Sequence, residues 1–180
     1  MANKDALREL QVRLANRLRE ARETPRTTSW LAVECAQFGL LIPLAQAGEI
    51  HPIGRISKLP HAKQWLLGVV NLRGELFSAV DLSTFLGWQV HERIASTGQL
   101  VALNASLGIN AALRVDRLVG LRDAGHMTQE SDDQIRPAFV TANWRDPQGR
   151  LWLALDLQLL VVDPMFLDVT YRPQPNAQRQ

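Results

Sequence analysis

The run Leu67-Gly68-Val69-Val70-Asn71-Leu72-Arg73-Gly74, continued by Glu75-Leu76-Phe77-Ser78-Ala79-Val80-Asp81-Leu82, decides the fold. Two short apolar segments flank Arg73-Gly74, the pattern of two β-strands joined by a tight turn. Glycine stands where such a turn needs a positive φ, and an arginine is held beside it. Asp81 closes the second segment in the position of a helix N-cap. No nucleophile, metal ligand or phosphate cradle accompanies the stretch. It reads as a scaffold that presents a charge, which suits a recognition protein better than an enzyme.

The same stretch resembles the G-V-[IV]-N-L-R-G … P-V-[IV]-D-L core of the CheW-like adaptor domain of bacterial chemosensory systems. Gly68, Val69, Asn71, Leu72, Arg73, Gly74, Val80, Asp81 and Leu82 match it, while Ser78 stands where that family usually has proline. Proline there would only remove a backbone donor, so the departure leaves the resemblance intact. The resemblance covers residues 28–172. It implies a mainly β fold of two small five-stranded β-barrels sharing a core. It also implies three parts: an N-terminal helical extension (1–25), the adaptor domain (28–172) and a polar tail (173–180).

Composition agrees with a soluble domain large enough for a real core: 180 residues, 46% hydrophobic and 21% charged. Twenty Lys and Arg face eighteen Asp and Glu, a formal net charge of only +2, and three of the cations are Lys. The densest basic cluster, Arg13, Arg17, Arg19 and Arg22, is interleaved with Glu9, Glu20 and Glu23, as on a solvated helix face. A nucleic-acid binder would gather its cations into a patch instead. Cys35 is the single cysteine, so no intrachain disulfide forms, and its apolar surroundings mark it as a small buried hydrophobe. No signal-peptide pattern and no run approaching the ~18 apolar residues of a membrane span is present, and a cytoplasmic location is expected.

Along the chain, Leu7, Leu10, Leu14, Leu18 and Ala21 recur at helical spacing over residues 5–23, and Pro25 ends the pattern. Such a helix is roughly 28 Å long and marginal alone, so its apolar stripe needs a docking surface on its own domain or on a partner. From Trp30 onward the rhythm is β-rich. Strands are predicted over 30–37, 39–45, 48–55, 67–72, 75–80, 99–104, 107–116, 117–122 and 150–155. Short helical turns are predicted over 61–66, 81–86 and 156–162, and residues 123–149 read as a long irregular connection. Gly74–Leu82 aligns with Gly149–Leu157 at an offset of 75, and Phe38–Leu44 with Leu107–Leu113 at an offset of 69. Two pairs in the same order suggest two copies of one β unit, and barrel closure would remove the edges that short strands expose.

Catalytic and metal chemistry find no support. His51, His61, His91 and His126 have no partner at i,i+3 or i,i+4, the Gly68–Gly74 spacing lacks the Gly-Lys-Ser/Thr of a phosphate loop, and no acid–base pair stands out. No cofactor or metal is expected, and Asp81 and Asp156 are explained as helix caps. The resemblance aligns Glu49 with the glutamate that pairs with the turn arginine in CheW-like domains. It implies a partner contact built from Glu49, Val70, Asn71, Leu72, Arg73 and Gly74. A Glu49–Arg73 pair would be either a bridge pinning two strands or an orienting pair beside a contact groove. Strand apolar residues such as Val69, Leu72 and Leu113, and Trp65, Trp88, Trp144 and Trp152, are core by default, though some would lie at protein contacts in an adaptor.

By resemblance, the expected function is a non-catalytic adaptor. It would couple the cytoplasmic tip of a methyl-accepting chemoreceptor to the regulatory domain of a CheA-type histidine kinase, recruited to membrane-associated arrays without inserting in the membrane. The N-terminal extension and the Lys63-Gln64-Trp65 lead-in resemble the branch serving type IV pilus (twitching) systems. The rival from another class is a β-barrel nucleic-acid-binding module, which would need a basic groove with interleaved aromatics.

Overall fold

Twelve strands in two six-stranded sheets carry the chain in a computed structural model, which describes residues 29–88, 97–131 and 136–171. The predicted N-terminal helix and the polar tail lie outside the described residues. In chain order the strands are β1 (Ser29–Cys35), β2 (Phe38–Pro43), β3 (Ala47–Pro52), β4 (Ile56–Ser57), β5 (Leu66–Leu72) and β6 (Glu75–Asp81). After the first helix, α1 (Leu82–Phe85), come β7 (Gln99–Leu103), β8 (Ala111–Val115), β9 (Arg117–Asp123), β10 (Thr128–Glu130), β11 (Val140–Arg145) and β12 (Leu151–Leu155). Two short helices, α2 (Leu157–Val161) and α3 (Pro164–Leu167), follow.

One sheet runs β10-β11-β12-β2-β1-β9 and the other β4-β5-β6-β8-β7-β3. These are the same order, with each strand of one sheet matched to one of the other. Each sheet has a single parallel contact at its middle, β12 with β2 and β6 with β8. The two copies therefore exchange strands: β6 of the first copy lies beside β8 of the second, and β2 of the first beside β12 of the second. The sheets have six strands where five were expected, and among the described residues their end strands do not pair with each other, so neither closes into a full barrel.

The repeat is real, and one of its registers needs correcting. Leu153 faces Leu40 and Ser78 faces Ala111, and Leu153 and Ser78 correspond at the offset of 75. Leu40 thus corresponds to Ala111, two residues beyond the Ile109 that the sequence alignment assigns. A shift of two keeps every side chain on its own face, so the apolar pattern could not detect it.

Alternation sorts the apolar residues into three layers. Leu31, Val33, Leu40, Ile42, Val80, Val101 and Leu113 form a layer shared by both sheets. The opposite faces build a smaller cluster on each sheet, one around Val70, Leu72 and Leu100, the other around Trp30, Leu41 and Trp152. Cys35 is fully buried in the shared layer. Asp81 and Asp156 cap α1 and α2 by accepting from the backbone N–H of Thr84 and Gln158.

Three further expectations are corrected. Residues 61–66 form no helix: His61 has φ +55°, Ala62 bridges to Thr170, and β5 begins at Leu66. The stretch 123–149 holds β10 and β11, whose mixture of polar and apolar residues hides two half-exposed strands. The strand predicted over 107–116 is confined to Ala111–Val115, preceded by a 3₁₀ turn at Ala105–Leu107.

Candidate functional site

The β5–β6 hairpin turns on two residues in the left-handed region, Arg73 at φ +52° and Gly74 at φ +93°. Asn71 Oδ1 accepts from the Gly74 N–H at 2.8 Å and pins the turn. Beneath it Val70 and Leu72 are 3% and 8% exposed and belong to the core. They hold the hairpin from below, and Leu72 also reaches the recess beside the turn. Gly68 shapes the base of the same strand. A side chain there would put Cβ 2.1 Å from the Ser57 carbonyl oxygen, at a bulge where β5 approaches β4.

Arg73 leaves this turn with three-quarters of its side chain exposed and donates from Nη1 to Glu49 Oε1 at 2.6 Å. Glu49 sits on the bulge of β3, and its Oε2 lies 3.3 Å from His51 Nε2. The pair rims an open recess of about 380 Å³ whose walls include Leu72, Phe77, Ala102 and Asn104. An exposed pair of this kind adds about 0–1 kcal/mol of stability, so folding depends little on it. Of the six expected contact residues, the structure brings Glu49 and Arg73 together, makes Asn71 and Gly74 the frame of the turn, and buries the other two.

Exposed apolar residues near the site escaped the sequence reading. Leu76, next to the turn, is 64% exposed, and Ile50, next to Glu49, is 41% exposed. An apolar residue on a strand reads as core, and only the sheet's outer face shows otherwise. Their counterparts in the repeat, Leu151 for Leu76 and, through the strand registers, Leu121 for Ile50, are exposed as well.

The second copy diverges where the charges stand. Its recess of about 420 Å³ is bordered by Leu121, Arg122, Asp146 and Gln148. With the corrected register, Glu49 corresponds to Gly120, not to Leu118, while Arg73 still corresponds to Gln148. The exposed ion pair is thus confined to the first copy. Second-copy cations bond carboxylates elsewhere: Glu34 on β1 accepts two bonds of 2.8 Å from the exposed Arg117 and a further one from Arg150. The Arg117 bonds, with Arg150 adding to them against the cost of burial, lower the Glu34 pKa from 4.5 to about 2. Arg150 also lies over the Trp152 ring, 4.6 Å from its centroid. Asp146 accepts from Trp152 Nε1 at 2.9 Å and from the N–H groups of Gln148 and Arg150, and these bonds, the Trp152 one foremost, depress its pKa.

The tryptophans are mostly structural. Trp152 is fully buried, Trp65 packs with Phe85 and Phe166, and Trp144 meets Trp30 edge to face. Trp88 is half-buried and stacks on the exposed Phe38 at 4.3 Å. Among the described residues no group of His, Cys, Asp and Glu could hold a metal ion, and no helix is long and apolar enough to cross a membrane.

A two-sheet fold with strands exchanged at parallel seams, and a charged turn at one end, defines a known class. The model of the CheW-like domain matches residues 29–165, and the chain belongs to that family. The chain is 30% identical over 162 residues to Protein PilI of Pseudomonas aeruginosa, covering 87% of this chain and 88% of that one. The solved structure of the scaffolding protein TtCheW from Thermoanaerobacter tengcongensis shares the fold at a TM-score of 0.65 and 18% identity, covering 77% of this chain and 95% of that one.

Proposed function

We propose that the protein is a non-catalytic adaptor that joins the cytoplasmic tip of a methyl-accepting chemoreceptor to the regulatory domain of a CheA-type histidine kinase. The similarity to PilI supports a chemosensory system serving type IV pili. The observation that carries the reading is the Arg73–Glu49 pair, exposed on a turn braced by Asn71 and flanked by solvent-facing Leu76 and Ile50. Exposed apolar residues beside an oriented charge pair suit a protein–protein contact, whose centre is apolar and whose edge carries the polar groups. Binding kinase and receptor at once raises the effective concentration of one at the other. A receptor state is passed on only if the contacts differ between states. The adaptor would work in the cytoplasm at receptor arrays.

The nucleic-acid reading loses ground on the same page. Arg117 and Arg150 are bonded to Glu34, and Arg145 to Glu130 at 2.9 Å through Nη2. Cations engaged with carboxylates do not form the free basic groove that a phosphate backbone needs.

Titration calorimetry against the kinase regulatory domain encoded in the same genome tests the proposal. Wild type should show saturable micromolar binding, and Arg73→Glu should weaken it at least about tenfold, a loss near 1.4 kcal/mol, with the circular dichroism spectrum unchanged. An absence of heat from folded wild-type protein would remove the assigned function and leave the fold standing.

A further inference from the structure

Six of the thirteen exposed large apolar side chains among the described residues fall between Leu159 and Tyr171. The inner sides of α2 and α3 are anchored by Leu157, Leu160 and Phe166, all buried. Their outer sides present Val162 at 64%, Met165 at 63% and Leu167 at 56% exposure. Short helices that are apolar on both sides need cover on the second. Met165 also borders an apolar recess of about 400 Å³ walled by Phe38, Trp88 and Leu153, which extends the patch toward β2.

Charge says what suits this face. Residues 151–171 contain Asp156, Asp163 and Asp168 and no Lys or Arg, while Lys63 reaches in to bond Asp168 at 2.8 Å and Arg136 borders the recess, so Asp156 and Asp163 carry the acidic character of this face. The 28 residues preceding β1 carry seven Lys and Arg against four Asp and Glu, and their sequence repeats Leu7, Leu10, Leu14 and Leu18 along one helical stripe. The two segments are complementary in charge, and each carries a run of apolar residues at helical spacing or on an exposed helix face.

The route is short. Ser29, where the described chain begins, accepts from the Leu44 N–H at 3.0 Å. Two residues further on, the Gln46 side chain accepts from the Leu157 N–H at 2.7 Å and donates to Asp156 at 3.0 Å. The chain before Ser29 thus departs close to the first turn of α2. Residues 24–28 can span up to roughly 17 Å, and a helix over 5–23 is roughly 28 Å long, enough to cross both helices.

We propose that residues 5–23 form a basic amphipathic helix that packs its leucine stripe on the α2–α3 face of the same chain. This inference is independent of the adaptor reading. Amide hydrogen exchange of the full chain, read by mass spectrometry, tests it with Val162→Asp and Leu14→Asp as variants. In wild type, residues 5–23 should exchange at least about tenfold more slowly than an unstructured chain, unchanged by dilution. Val162→Asp should abolish that protection while β1 and β7 keep theirs, which shows that the variant is folded. Leu14→Asp should speed exchange in α2 and α3. Unprotected exchange of 5–23 in wild type, protection that survives Val162→Asp, or protection that falls on dilution would each overturn the proposal, the last by assigning the face to a second copy.

Discussion

The two copies of the β unit share strand order, a bulge in β3 and β9, and a bulge in β5 and β11, yet they deploy charge in opposite ways. The first copy places Arg73 and Glu49 on its rim, exposed to solvent. The second has Gly120 and Gln148 at those positions and directs Arg117 and Arg150 onto Glu34. The connection from β11 to β12 is also longer, five residues against the two of Arg73-Gly74, and is organised by Asp146 instead of by an asparagine. A duplicated scaffold can keep its core while only one copy carries an ion pair at this rim position. The core depends on which residues alternate inward, and the rim depends on a few side chains that the core does not constrain.

Five substitutions break or sharpen this comparison, and the seam between the copies should give the largest effect. Arg114 on β8 is 2% exposed and bonds Asp81, Asp116 and the Thr97 carbonyl, while its counterpart on β2 is Pro43. Asp116 in turn accepts from the Ala36 N–H at 2.7 Å, which ties the β1–β2 turn of one sheet to the other. Arg114→Met should destabilise the fold by about 3–5 kcal/mol in urea titration, because it removes a buried cation that bonds Asp81, Asp116 and the Thr97 carbonyl at once.

Gly68→Ala should cost about 3 kcal/mol, since Cβ would collide with the Ser57 carbonyl at a φ of +137°. Its counterpart across the repeat is Ala142, where a side chain already exists, so Ala142→Gly should cost no more than about 1 kcal/mol. Equal losses at the two positions in thermal melts would refute the copy-specific strain.

Glu34→Gln should cost about 1–2 kcal/mol at neutral pH. The folded Glu34 pKa is about 2 against the ordinary 4.5, so its contribution is complete above pH 4.5 and fades as pH falls toward 2. The melting temperatures of wild type and Glu34→Gln should therefore converge over that interval, and parallel curves would disprove the clamp. Arg73→Gln should have the smallest effect on stability, within about 1 kcal/mol, because the first-copy pair faces water. A larger loss in a denaturant melt would turn that pair from a contact into a strand bridge.

Much of this was legible in the sequence. The alternation of the 67–82 run, the glycine-bearing turn, the two capping aspartates and the repeat followed from local rules that do not depend on distant partners. The Glu49–Arg73 meeting came from family resemblance, since no local rule joins a residue of β3, at one end of the sheet's order, to the β5–β6 turn near the other. What escaped had nonlocal causes. Strands β10 and β11 lack a clean apolar alternation because their outer faces meet solvent, and β4 is two residues long, too short to leave a pattern.

The sequence by itself determined which segments could be strands, where the hairpin turns and which residues cap the helices, because these rest on backbone preference and period-two burial. Only the tertiary structure decided the register of the repeat, the exchange of strands between copies, and the division of Val70 and Leu72 from Arg73 into core and rim. A shift of two residues leaves a strand's apolar pattern unchanged, and exposure belongs to the packed sheet. Both are settled when the sheets meet and not before.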